Sequence, residues 1–164
     1  MKQWLASPRL VDNLDSFDHL DLWMPGLVIE VKSKLQPLGP RWTMHRPDVP
    51  EADLFVLDEL SFRKGMAGPS TPGFLLTYYV LEDRVTGRWF LARLDELAVA
   101  PKARLDRLGS SGGAKGKLLF NLSDFRQLAN PAVDLRASIA GDTATRPWDG
   151  SGCLLLGSGT VPTV

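Results

Sequence analysis

Apolar and polar positions partly alternate over residues 17–24, and after Pro25-Gly26 the chain runs Leu27-Val28-Ile29-Glu30-Val31-Lys32, β-branched and mostly apolar. Two such runs around a turn-forming pair predict a β-hairpin. Upstream, Trp4, Leu5, Leu10, Val11 and Leu14 share one broad helical face, but Pro8 interrupts it and leaves a short or broken helix. Pro37, Gly39, Pro40, Pro47 and Pro50 make a loop from which Trp42 and Met44 reach the body, and residues 52–57 form a third strand that residues 58–64 leave. After an exposed Gly/Pro/Ser/Thr-rich loop over residues 65–73, residues 74–81 and 88–92 read as a second hairpin joined through 82–87. Residues 94–100 predict a short helix with Asp95 and Glu96 in its first turn and Pro101 at its end. Residues 109–116 read as a flexible loop, 117–122 as a short strand, and Ser123 as the cap of a helix over 124–129. Beyond Asn130, residues 131–164 show little periodicity and read as a loosely attached tail, with Leu154-Leu155-Leu156 a small docking strand.

The 164 residues suit one domain, expected over residues 1–130. Lys+Arg and Asp+Glu both number 19, so no global field draws the chain to nucleic acid or to an acidic membrane, and any such contact must be local. The single Cys153 forms no intrachain disulfide, the first residues lack the apolar core of a secretory signal, and no apolar run spans a bilayer. The expectation is a cytoplasmic protein with no membrane partner.

Chemistry concentrates at the first hairpin. On a strand, residues i and i+2 share a face, so Glu30 and Lys32 project together, and the hairpin returns Asp21 to the neighbourhood of Glu30. Two carboxylates brought together repel unless a cation lies between them, and Mg²⁺ is held by one or two carboxylates plus phosphate oxygens. An ammonium two residues on stands where charge develops on a scissile phosphate. The alternative is a structural salt bridge, since strand-face Glu and Lys pairs are common.

Asp21, the short connection and Glu30-Val31-Lys32 resemble the PD-(D/E)xK, or restriction-endonuclease-like, nuclease superfamily in order and spacing. The resemblance implies an α/β fold with a mixed central β-sheet flanked by helices. It implies Asp21 and Glu30 as metal ligands, the Val31 carbonyl as a third, Lys32 as the catalytic lysine, and Mg²⁺ or Mn²⁺ as cofactor. The resulting expectation is a metal-dependent nuclease that hydrolyses DNA phosphodiester bonds, with a homodimer favoured for duplex cleavage. Family members often carry an acidic residue on the first helix, whereas residues 2–11 hold none, and Leu20 stands where Pro usually precedes the first Asp. The absent helix acid and the balanced charge fit a rival reading, a catalytically silent domain of the same fold that binds nucleic acid or protein. A third reading is a small β-rich structural protein.

For nucleic acid, the candidates are Lys34, Arg41 and Arg46 after the motif, and the basic stretch Lys102, Arg104, Arg107, Lys115 and Lys117, against the bland reading of solvated loops. Asp58 and Glu59 read as exposed strand-end charges, with Asp53, Asp58 or Glu59 the further candidates for a metal shell. Residues 112–117 fail as a phosphate-binding loop, because Ser111 replaces its first glycine and Leu118 its Ser/Thr. Gly157-Ser158-Gly159 fails as a dinucleotide fingerprint, and His19 and His45 lie too far apart, with no second cysteine, for a zinc site.

Overall fold

A computed structural model of the chain describes residues 11–12, 21–24, 26–67, 76–108 and 114–145. In chain order these form strands β1 (Val11–Asp12), β2 (Leu22–Met24) and β3 (Leu27–Lys34), helix α1 (Pro40–Thr43), strand β4 (Leu54–Asp58) and helix α2 (Glu59–Ala67). Strands β5 (Leu76–Asp83) and β6 (Arg88–Arg93), helix α3 (Leu94–Val99), strands β7 (Ala103–Leu108), β8 (Ala114–Asn121) and β9 (Arg126–Leu128), and helix α4 (Pro131–Thr145) follow.

The strands make a mixed six-stranded sheet, ordered β1-β2-β3-β5-β6-β9, and an antiparallel three-stranded sheet, ordered β4-β8-β7. Among the described strands of the large sheet only β3 and β5 run parallel. Gly26 turns the first hairpin at φ 85°, a left-handed backbone that only glycine adopts cheaply. The alternation of β5 divides the core. Leu76, Tyr78 and Val80 meet Leu22, Ile29, Leu91, Leu128 and Leu135 of α4 on one face, while Tyr79 and Leu81 meet Phe62 of α2, Leu94 and Leu97 of α3, and Phe55, Leu57, Leu118 and Phe120 of the small sheet on the other. The far face of the small sheet buries Trp42 and Val49 against Leu54 and Leu119. The chain is thus a mixed α/β structure in which helices and a second sheet cover a mixed sheet.

Several elements differ from the sequence expectation for identifiable reasons. Val11, expected on a helical face, pairs instead with Trp23 as a strand, beside Asp12 paired with Leu22. Trp42 is buried as expected, but Met44 faces solvent. The third strand starts at Leu54, after a 3₁₀ turn over Glu51–Asp53, and continues directly into α2, which takes the first part of the expected 65–73 loop. The basic segment read as loop is the β7–β8 hairpin, in which residues 114–116 are already strand. No helix follows Ser123: Asn121 caps a 3₁₀ turn over Leu122–Asp124, and the chain then enters β9 against β6. The expected tail begins with α4, whose Leu135 is fully buried, so the packed body extends past Asn130. Leu154-Leu155-Leu156, the rest of the tail from residue 146, and most of the N-terminal segment lie outside the described residues. Among the described residues no helix is long and apolar enough to cross a membrane.

Candidate active site

The hairpin register builds the site. Leu22 pairs with Ile29, so the next antiparallel position sets Asp21 opposite Glu30. Asp21 is fixed there by the Val31 backbone N–H, which donates to its Oδ2 at 2.6 Å. Lys32 shares a strand face with Glu30, and its Nζ lies 2.9 Å from Glu30 Oε2 and 3.9 Å from Asp21 Oδ2. The structure therefore brings Asp21, Glu30 and Lys32 together at one edge of the core. Val31 contributes its N–H to this arrangement.

Glu30 is only 8% exposed. Burial drives its carboxyl above the ordinary value, Lys32 opposes that rise, and the nearby Asp21 carboxylate reinforces it. Two carboxylates face one ammonium here, and their oxygens are a donor set of the kind that fits a divalent cation. Among the described residues no group of three or more His, Cys, Asp and Glu side chains gathers around a common point. A cation held by Asp21 and Glu30 would complete its shell with water, backbone and phosphate oxygens, the habit of Mg²⁺. Tyr79 is the neighbour of Glu30 across the β3–β5 pair. Among the described residues its hydroxyl is buried with no hydrogen-bond partner, and burial together with the Glu30, Asp21 and Asp58 carboxylates raises the phenol above its ordinary value. No sequence signal distinguished it from other apolar positions of that strand.

The expected nucleic-acid contacts are distributed differently. Lys34 is 4% exposed and donates to the Ala52 carbonyl at 2.7 Å, and burial lowers its amine while the Asp83 carboxylate opposes the shift. It is an internal cation. Lys102 is also engaged inside the fold, donating to the carbonyls of Leu97, Ala98 and Ala100 at 3.1, 2.8 and 2.9 Å and lying over the Phe62 and Phe120 rings. Arg104 pairs with Glu59 and Asp106, and Lys117 with Asp58 at 2.7 Å. Arg107 and Lys115 are register partners of β7 and β8. Arg46 pairs with Asp48, while Arg41 is exposed over the Trp42 ring.

Glu59, expected at the surface, is buried, and the Arg104 guanidinium holds its carboxyl below the ordinary range. Gly116 makes room for it: a Cβ there would run into the Glu59 carboxylate. At Asp58, burial pushes the carboxyl up, but Lys117 and the backbone N–H groups of Leu60 and Ser61 outweigh it and hold the carboxyl low. A separate polar cluster lies on the opposite face of the large sheet. There Tyr78 donates to Asp142 of α4, Arg93 binds Asp142 at 3.0 Å, and a cavity of about 300 Å³ opens beside them.

No protein-family model matches the chain, and no curated protein matches it. Among solved structures, a nuclease from a fusselovirus is similar over 81% of this chain and 77% of that chain, with a TM-score of 0.43 and 10% sequence identity.

Proposed function

We propose that the chain is a metal-dependent nuclease that hydrolyses DNA phosphodiester bonds at Asp21, Glu30 and Lys32. The observation that carries this reading is the convergence of two carboxylates, one of them buried, on a single ammonium in a hairpin register that admits little alternative. Asp21 and Glu30 would hold Mg²⁺ or Mn²⁺, which when bound polarises the phosphate and lowers the pKa of a coordinated water. The Val31 N–H orients Asp21, and its carbonyl is the proposed third protein ligand. Lys32, on the strand face it shares with Glu30, would place its positive charge against the negative charge growing on the phosphate. Cleavage of both strands of a duplex needs two such sites, for which a homodimer is the simplest arrangement.

The test is plasmid cleavage with Mg²⁺ or Mn²⁺, run beside ion binding by calorimetry and folding by circular dichroism. Lys32→Ala is expected to lose on the order of 10²-fold or more in rate while retaining ion binding, because it removes a preorganised charge and no ligand. Glu30→Ala should lose both. A folded Lys32→Ala protein that cleaves like the parent refutes the mechanism.

One observation favours the silent-module reading: Lys32 already bridges both carboxylates, and Lys102, Arg104 and Lys117 are committed within the fold. A folded parent that binds neither Mg²⁺ nor Mn²⁺ at millimolar concentration would establish that alternative.

A further inference from the structure

We infer that Tyr79 is a positioning residue of the Asp21–Glu30–Lys32 site, its hydroxyl donating to an oxygen in the coordination shell of a bound cation; the inference rests on the reading of the site as one that takes a divalent ion. The placement is set by backbone pairing, because Tyr79 on β5 is the register partner of Glu30 on β3 and their side chains therefore share a face.

The hydroxyl is the informative atom. It is wholly buried, and among the described residues it has no hydrogen-bond partner. Native interiors leave such groups unpaired rarely, and where they do the group commonly serves a bound water or ion. Packing does not require the oxygen: the Tyr79 ring stacks on Phe62 at 6.5 Å, a contact phenylalanine would make equally well. The groups acting electrostatically on the phenol are the Glu30, Asp21 and Asp58 carboxylates. Gly65 keeps α2 close on this side, since a Cβ there would stand 3.7 Å from the Tyr79 oxygen and press on Leu94 at 2.9 Å. A buried donor on the sheet face it shares with Glu30, at a position where an apolar ring would suffice for the core, matches the role of outer-shell hydrogen bonds that orient metal ligands and waters.

The full chain labelled with [¹³Cζ]tyrosine carries two reporter carbons, because it has two tyrosines. The signal missing in Tyr79→Phe belongs to Tyr79. Titration of the parent with MgCl₂ should shift that signal and leave the Tyr78 signal in place. By calorimetry Tyr79→Phe should bind Mg²⁺ about tenfold more weakly, the lower end of the loss seen for outer-shell partners, with a Tm no lower than the parent's. If the parent binds Mg²⁺ while the Tyr79 signal stays fixed and the variant binds equally well, Tyr79 is a packing residue and the inference fails alone. If the parent binds no ion, the cation-site reading fails and takes the inference with it, a result that the parent titration identifies by itself. Should Tyr79→Phe not fold, Tyr78→Phe assigns the two signals instead, and the shift or its absence in the parent still decides the matter.

Discussion

Replacing Lys102 by Met removes one ammonium and keeps much of its aliphatic stem, and the structure predicts a large loss of stability from that small change. The last carbonyls of a helix have no intrahelical donors, and at the end of α3 Lys102 supplies one to Leu97, Ala98 and Ala100 at once. A hydrogen bond to a charged group contributes about 1.5–3 kcal/mol net. A cation at a helix C-terminus adds about 0.3–1 kcal/mol, and a cation over an aromatic ring about 0.5–1 kcal/mol. These terms share one ammonium and do not simply add, so the expected cost is about 2–4 kcal/mol. At roughly 2–4 °C of Tm per kcal/mol for a chain of this size, thermal unfolding should resolve it easily. Urea denaturation should show a lower midpoint at an unchanged m value. Because the ammonium is spent inside the fold, the salt slope of any DNA binding should be that of the parent. A Lys102→Met protein with parental stability and a shallower salt slope would show that Lys102 contacts phosphate and that its three carbonyl bonds carry little.

Glu30→Gln should stabilise the protein at pH 7 while abolishing ion binding. Burial raises the Glu30 carboxyl above its ordinary 4.5, so folding disfavours the ionised form; the penalty fades as pH falls below that ordinary value, where the group becomes protonated folded and unfolded, grows as pH rises from the ordinary value towards the folded one, and is complete above it. The Tm difference between variant and parent should therefore close on acidification, and a difference independent of pH would count against this origin. Gly116→Ala should cost about 1–3 kcal/mol by urea denaturation, as overpacking typically does, because its methyl displaces the Glu59 carboxylate from Arg104; parental stability would show that Glu59 moves aside freely. Truncation after Asn130 should lose more than the roughly 1.5–3 kcal/mol of burying one leucine, since it removes Leu135 and both Asp142 bonds. A truncated chain as stable as the parent would refute the packing of α4.

The first hairpin and the clustering of Asp21, Glu30 and Lys32 on it were legible because their determinants are local: Gly26 needs its left-handed turn, and strand parity alone sets Glu30 beside Lys32. The second hairpin and α3 were legible for the same reason. The small sheet was not, because β4 meets β8 across more than fifty residues, and the glycines around residues 109–116 read as loop until Glu59 gives Gly116 its purpose. Ser123 resembled a helix cap, but Phe125 packs into the core and Leu128 beside the opposite cluster, which draws the chain into β9. Helix α4 carries too few large apolar residues for its period to show, with Leu135 and Ile139 among small and polar neighbours. The paired state of Arg104 and Lys117 depends on Glu59 and Asp58, which approach only through tertiary packing.

The parallel pairing of β3 with β5 also dictates a sequence of events. Asp21 meets Val31 across 10 residues, whereas Ser33 meets Glu82 across 49, with β4 and α2 laid down in between. By loop-closure entropy alone the longer contact costs about 1.4 kcal/mol more, and non-local pairings of this kind slow folding. A nascent chain would thus assemble Asp21, Glu30 and Lys32 early, as an open hairpin in water, and acquire the wall that carries Tyr79 only when the crossover closes. Burial of Glu30, and with it the upward pull on its carboxyl, belongs to that later step.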